Sequence, residues 1–335
     1  MKFQKHLLNV ERKKPQYSNP DKIRLHAAER DLVFGYDLWE EFFYSVKQTD
    51  IMYYPNVDKT YKDLSKFLNL SADNLIIGDG SDRIIKYIYE CFAVKGLDVI
   101  TTDPCFPMYK VYADLYNVNC KQIKYTEYHL DYDQLYNSIN DNTSFVIISN
   151  PSSPIGDFIH FKEMTLLIEK AEQHEAIVVI DEAYIEFSGH ESYSDLIKIF
   201  NNLIVIKTFS KAVGAAGIRF GYGIANKQII DIMKKFSPMN EITSITGKWV
   251  STIINNWSNV ENYINNVKQN RDKATFYFLK KGYEVIPSNC NWIHVDKLDF
   301  DDNFVLRQTT LPWSDKTWTR LCIPGDEHNM RLLCK

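Results

Sequence analysis

The chain predicts an α/β protein with a large domain, built on a mostly parallel sheet sandwiched by helices, and a smaller α+β domain. Three observations carry this expectation. From about residue 73, short β-rich runs alternate with helical stretches of ten residues or more. The runs are almost wholly apolar, as strands covered on both faces must be. After Gly223 the pattern changes to a long polar stretch with helical periodicity, followed by one more β-rich segment.

In chain order, "NLIIGDG" reads as a strand and its tip, and "DRIIKYIYECFAV" as the helix that follows, starting at about Arg83. "DVITTDP", "NCKQIKY", "TSFVIISNP", "AIVVIDEAY" and "LIVIKTFS" supply further strands, with "MYKVYADLY" and "FKEMTLLIEKAEQH" as intervening helices. "SNVENYINNVKQNRDKATFYFLKKG" and "YEVIPSNCNWIHVD" belong to the smaller domain. The division expected is an N-terminal arm and part of the small domain over residues 1–45, a large domain over 46–260 and a C-terminal small domain over 261–335. Strand tips in open α/β sheets gather ligands at their carboxyl ends, so "GDGSD", "DPCFP", "NPSSPIG" and "DEAY" should converge.

Composition narrows the partners. With 335 residues and 45% hydrophobic content, the chain can bury a large core. The formal charge is −4, from 39 basic and 43 acidic side chains, so no global field is available to hold nucleic acid or an anionic membrane. Six cysteines without a CxxC pair read as reduced, mostly buried thiols. The N-terminus lacks an apolar core long enough for a signal peptide, and no stretch approaches a membrane span, so a cytoplasmic location without a bound metal is expected.

Several residue patterns carry chemistry. Asp181 ends an apolar strand, where a carboxylate is unfavourable unless it meets a cation or a strong donor; a helix cap or an ordinary salt bridge is the plain alternative. Tyr184 follows at i+3. Gly80, Ser81 and Asp82 precede a helix, leaving backbone N–H groups that suit a phosphate, although Ser or Asp is also the ordinary N-cap. A dinucleotide fingerprint is excluded because Arg83 stands where its third glycine belongs. Phe106, between two prolines, is placed to stack on a planar ligand or simply to pack in the core. Asn150, Ser152 and Ser153 lie in a loop with two X-Pro bonds, free to bond a ligand or their own backbone.

In "KTFSKAVGAAGIRFGYG", Thr208, Ser210, Lys211 and Arg219 place two hydroxyls, an amine and a guanidinium among glycines. The order is wrong for a P-loop. It suits a phosphate held by hydroxyls and Arg219, with Lys211 as a desolvated amine nucleophile.

Taken in this order, the motifs resemble the fold-type I pyridoxal-phosphate enzymes, and most closely the histidinol-phosphate aminotransferase group, from about Tyr53 to the C-terminus. "DEAYIEF" and "TFSKAVGAAGIRFGY" are the most specific elements. The resemblance implies that pyridoxal 5′-phosphate is the cofactor, that Lys211 forms the internal Schiff base and shuttles a proton, and that Asp181 pairs with the pyridinium nitrogen. It implies that Tyr184 donates to the 3′ oxygen, that Phe106 stacks on the ring, and that Ser81, Ser210, Arg219, Asp82 and Thr208 surround the phosphate beside Gly80. Tyr54, in "MYYPNV", matches a tyrosine that reaches the neighbouring subunit's phosphate, which implies a homodimer. Arg320 is the implied anchor for a substrate carboxylate or phosphate, with Arg307 as a second.

Where the family loop carries an asparagine that contacts the cofactor's 3′ oxygen, this chain has Ser153, so Asn150 or a water is expected to assist. The N-terminal substrate-side motif keeps only Glu29. These departures argue against histidinol phosphate itself as substrate. The activity expected is transfer of an amino group from an amino acid, glutamate being the expected donor, to a small keto acid or phosphorylated ketone. A decarboxylase acting on a phosphorylated amino acid is the alternative on the same fold, and a non-catalytic ligand sensor is a third reading.

Overall fold

The computed structural model describes residues 2, 4–11, 22–296, 298 and 304–334. Within the expected N-terminal arm, residues 1, 3 and 12–21 lie outside the described residues. A short strand, β1 (Ile23–Arg24), precedes eight strands that build the large sheet. These are β2 (Leu75–Gly78), β3 (Asp98–Asp103), β4 (Asn119–Thr126), β5 (His129–Leu130), β6 (Thr143–Ser149), β7 (Ile177–Asp181), β8 (Leu203–Thr208) and β9 (Gly221–Ala225).

Their spatial order is β2-β9-β8-β7-β6-β3-β4-β5. The central pairings, from β4 through β3, β6 and β7 to β8, are parallel. Antiparallel pairing is confined to β9, with both its neighbours, and to the β4–β5 edge. The mostly parallel sheet expected from the sequence is therefore present.

Period-two alternation turns each continuous apolar run into two faces. Val146, Ile148, Val178, Ile180, Leu203 and Val205 point into one hydrophobic cluster. Phe145, Ile147, Val179, Ile204 and Ile206 point into the other. Helices close both sides. Ser81–Phe92 buries Ile84, Ile85, Tyr87, Ile88 and Tyr89, the i, i+3, i+4 stripe of an amphipathic helix. At about 1.5–3 kcal/mol for each large apolar side chain, this burial is the main favourable term holding the layers together.

The small sheet contains β10 (Val285–Ile286), β11 (Trp292–Asp296), β13 (Arg307–Thr310) and β14 (Thr317–Cys322). Its order, β10-β11-β14-β13, is antiparallel throughout. The long helix Trp257–Lys280 packs beside it, burying Val260, Tyr263, Ile264, Val267, Ala274 and Phe278. Asn270, the buried polar residue of that stripe, donates to the Pro324 carbonyl at 2.9 Å and so ties the helix to the chain beyond β14. The N-terminal segment joins this unit, since β1 pairs in parallel with β12 (Phe304–Val305), and Cys322 N–H donates to the Leu25 carbonyl. No helix among the described residues is long and apolar enough to cross a membrane.

Candidate active site

The parallel strands end together. Ser149, Asp181 and Ile206 are neighbours in register across β6, β7 and β8, so the loops leaving these strands form one rim. The sheet geometry that buries the preceding isoleucines and valines delivers Asp181 to that rim in an apolar surrounding.

Asp181 is buried. Its Oδ2 accepts a hydrogen bond from Tyr109 Oη at 2.8 Å, and its Oδ1 accepts one from Ala183 N–H at 3.1 Å. Burial pushes its carboxyl up to about 6; the Tyr109 and Ala183 hydrogen bonds pull it down, Glu182 pushes it up and Lys211 pulls it down. Asp181 forms no ion pair among the described residues. Phe106 caps the helix Pro107–Tyr116 and meets the Tyr109 ring at 5.6 Å, so Phe106 and Asp181 are linked through one buried phenol.

Lys211 lies three residues beyond β8, in the turn that leads toward β9. Its Nζ donates to the Ala27 carbonyl at 2.9 Å and sits 5.5 Å from the centre of the Tyr184 ring. Tyr184 in turn packs edge-on against Trp292 of β11, with ring centres 4.6 Å apart. The large sheet, the small sheet and the N-terminal segment thus meet at Lys211.

The glycines form a cradle. Gly80 has φ of 105°, and a Cβ there would stand 2.5 Å from Arg219 Nη2. A Cβ on Gly221 would stand 2.2 Å from the Ser81 backbone nitrogen. Only glycine allows β9 and Arg219 to approach the start of the helix so closely. That helix begins at Ser81, two residues earlier than the sequence pattern placed it, and no side chain caps it. Its first N–H groups and the Arg219 guanidinium, whose Nη2 donates to the Asp79 carbonyl at 3.2 Å, face a common space. Arg219 itself adopts a left-handed φ of 57°, a strained choice of the kind that gathers at functional sites.

The other expected residues fall less evenly. Thr208 Oγ1 accepts from Ser210 N–H at 3.1 Å and donates to the Phe220 carbonyl at 3.5 Å, so it shapes the turn that carries Ser210. Asn150 is committed to the loop: its side chain donates to the Ile159 carbonyl and accepts from Ile159 N–H, both at 2.9 Å. Those bonds tie the Asn150 amide to its own loop, and Ser153 is held in the same loop by its N–H, which donates to Ser149 Oγ at 2.8 Å. Asp82 lies in the first turn of the helix. Tyr54 is 89% exposed and lines a groove of about 1300 Å³ together with Asp79 and Arg219. Glu29 is paired with Arg24 at 2.8 Å.

Arg320 is buried in β14, donates to the His26 carbonyl at 2.9 Å and lies 5.0 Å over the Trp292 ring. Arg307 stands directly across from it in β13 and is exposed. The two arginines thus share one face of the small sheet, and Arg320 and Lys211 bond the carbonyls of adjacent residues, His26 and Ala27.

Three elements escaped the sequence pattern. Tyr109 was hidden in a tyrosine-rich helix, although its place three residues after Phe106 puts both on one face. Lys207 forms a buried ion pair with Glu182 at 2.9 Å and a second with Glu186 at 3.1 Å; burial lowers its pKa, and the two carboxylates outweigh this and raise it. A lysine inside the apolar run "LIVIKT", beside a strand whose tip is acidic, was the available signal. The Ala27 carbonyl had none, because a backbone acceptor leaves no trace in sequence.

A carboxylate without a counterion, a cradle sized for an oxyanion and an amine at the junction fit pyridoxal phosphate, whose pyridinium, phosphate and aldehyde need those three partners. The fold and the site define the class: an α/β transferase built around a strand-end lysine. More particularly, the chain belongs to the aminotransferase class I and II family, whose model matches residues 40–335. It is 34% identical over 241 residues to a histidinol-phosphate aminotransferase of Methanocaldococcus jannaschii, covering 70% of this chain and 64% of that protein, just under two thirds of its length. It is 31% identical over 268 residues to the Pyrococcus furiosus protein of the same name, covering 79% and 76%. Among solved structures, the Sinorhizobium meliloti histidinol-phosphate aminotransferase in complex with pyridoxal-5'-phosphate superimposes with a TM-score of 0.83 at 18% identity, over 93% of this chain and 88% of that one.

Proposed function

We propose that this chain is a pyridoxal-phosphate-dependent transaminase that moves an amino group from an amino acid, glutamate first, to a small phosphorylated keto substrate. Asp181 is the observation that carries it: a buried carboxylate held by neutral donors at the carboxyl end of β7, in the pocket that also holds Lys211.

When bound, the cofactor supplies an electron sink for the bond broken at the substrate's α-carbon. The chain's own groups do the rest. Asp181 would hold a proton on the ring nitrogen, Tyr184 and Ser153 would hold the ring oxygen, and Phe106 would cover the ring face. Gly80 and Ser81, with Asp82 nearby, Ser210 and Arg219 would hold the phosphate, and Thr208 shapes the turn that carries Ser210. Lys211 would hold the cofactor's aldehyde end, and its amine is the group that would carry a proton to and from the substrate's α-carbon. Arg320 and Arg307 anchor the substrate's distal anion.

The relatives named for histidinol phosphate support a phosphorylated substrate of that class, while Ser153 and the reduced N-terminal motif argue that the acceptor differs in detail. A homodimer belongs to the same proposal, since Tyr36, Phe43, Tyr44, Ile51, Tyr53 and Tyr54 are all exposed, as expected of a covered face. So do a cytoplasmic location and the three-part division at residues 45/46 and 260/261.

A panel of amines and amino acids tests the reaction type. Transamination converts the cofactor to its amine form and yields a keto product without carbon dioxide. Carbon dioxide release with the cofactor unconverted would replace the transaminase with the decarboxylase.

A further inference from the structure

β11 carries a histidine inside a run that is otherwise buried packing. His294 is fully buried, yet neither its Nδ1 nor its Nε2 finds a hydrogen-bond partner among the described residues. In the antiparallel register His294 lies opposite Arg320, and Arg320 lies opposite Arg307. Directly opposed residues on neighbouring strands share a face, about 4.5–5.5 Å apart, so the three side chains form one row. The row runs from the exposed Arg307, through buried Arg320, to His294 at its inner end.

Two more unpartnered atoms lie in the same place: Arg320 Nε and, on the N-terminal segment that covers the row, His26 Nδ1. That segment also gives Arg320 the His26 carbonyl and Lys211 the Ala27 carbonyl, so the row lies one residue's reach from the reacting amine. Buried polar atoms in folded proteins are nearly always hydrogen-bonded, and each orphan is destabilising. Arg320 Nε and one nitrogen of the His294 ring are donors left open along one row, and they call for a ligand with acceptor oxygens.

We infer that His294 is a specificity-determining residue: its imidazole N–H is a third donor, with Arg307 and Arg320, for a phosphate monoester at the distal end of the substrate. Burial, with the charges of Arg320 and Arg307, holds the ring neutral, its pKa lowered to about 3. One ring nitrogen therefore donates and the other accepts. Two guanidiniums and one N–H match the three terminal oxygens of a phosphate better than the two of a carboxylate. This inference rests on the proposed transaminase acting on a phosphorylated substrate.

Holoenzyme, with the cofactor's own phosphate already in the Gly80 cradle, gives the test. Inorganic phosphate is titrated by calorimetry into the wild type, His294→Leu and His294→Gln, and kcat and KM are measured with the phosphorylated amine that the panel identifies as substrate and with its dephosphorylated form. The expected result is that His294→Leu weakens phosphate binding about tenfold or more and lowers the preference for the phosphorylated amine by a similar factor, through KM. His294→Gln regains part of both, because it restores a donor. If His294→Leu does not fold, His294→Met is read in its place. Phosphate affinity and preference unchanged in the leucine variant would overturn the inference while leaving the phosphorylated substrate standing. A wild type that neither binds phosphate nor distinguishes the two amines would overturn both.

Discussion

Tyr109 Oη donates to Asp181 Oδ2 across 2.8 Å, joining a helix to a strand tip 72 residues further along the chain. The bond holds one carboxylate oxygen in a fixed direction inside an apolar pocket. It also draws the Asp181 pKa down against the upward push of burial. Tyr109→Phe is expected to destabilise the protein by about 1.5–3 kcal/mol, the range for a lost hydrogen bond to a charged group. It is also expected to move the acidic limb of the activity profile to higher pH. An acidic limb that stays in place would show that the phenol does not tune this carboxylate.

Asp181→Asn should separate stability from activity. The folded pKa of about 6 lies above the ordinary aspartate value of 3.8, so the native apoprotein binds the extra proton and is favoured at low pH. As pH rises from about 4 to above 6, the buried charge develops and the wild type loses on the order of 2–3 kcal/mol from this group. The asparagine variant has no such loss. Its melting temperature relative to the wild-type apoprotein should therefore rise between pH 4 and 7, scanned without cofactor, while turnover falls by about a hundredfold or more. A constant difference across that range would refute the buried-charge account.

Lys207 holds Glu182, the residue after Asp181, and its side chain is shared with Glu186. Glu182 is fully buried and further accepts from Ser192 Oγ and Tyr193 N–H, both at 2.6 Å. Lys207→Met removes the cation and leaves that carboxylate uncompensated, with an expected destabilisation of about 3–5 kcal/mol in denaturant titration. Lys207→Arg should keep most of the stability. Equal losses in the two variants would mean that shape, rather than charge, is what this position supplies.

Gly221→Ala tests the cradle. The new Cβ would meet backbone, at 2.2 Å from the Ser81 nitrogen and 2.5 Å from the Gly80 carbonyl carbon, and backbone cannot swing aside. β9 must shift away from the helix start, taking Arg219 with it. Titration of the apoprotein with pyridoxal phosphate should show affinity reduced by about tenfold or more, whereas Gly217→Ala, which meets nothing within 4 Å, should bind as the wild type does.

How much of this was legible in the sequence depends on how locally each feature is encoded. The central strands were visible because runs such as "FVII" and "IVVI" must be buried on both faces, and the sheet divides them between two clusters. Asp181 and Lys211 stood out because each interrupts apolar or small-residue surroundings that do not suit a charge. Asn150 was less legible for the opposite reason: an amide in a proline loop has many partners open to it, and the bonds it makes to Ile159 could not be read from the sequence. Tyr109, His294 and the Ala27 carbonyl could not be seen, since their meaning lies in pairings far apart in sequence. The contact of Arg320 with His26 spans 294 residues, and no local pattern announces that the N-terminal segment closes the site.

Lys211 is the residue on which the whole account turns. Purified holoenzyme, reduced with borohydride, digested and mapped by mass spectrometry, is expected to carry the cofactor on the peptide containing Lys211. Its visible absorbance should be lost on reduction, and Lys211→Ala should take up no covalent label. A colourless protein that binds no pyridoxal phosphate, or a label found on another lysine such as Lys207, would contradict it.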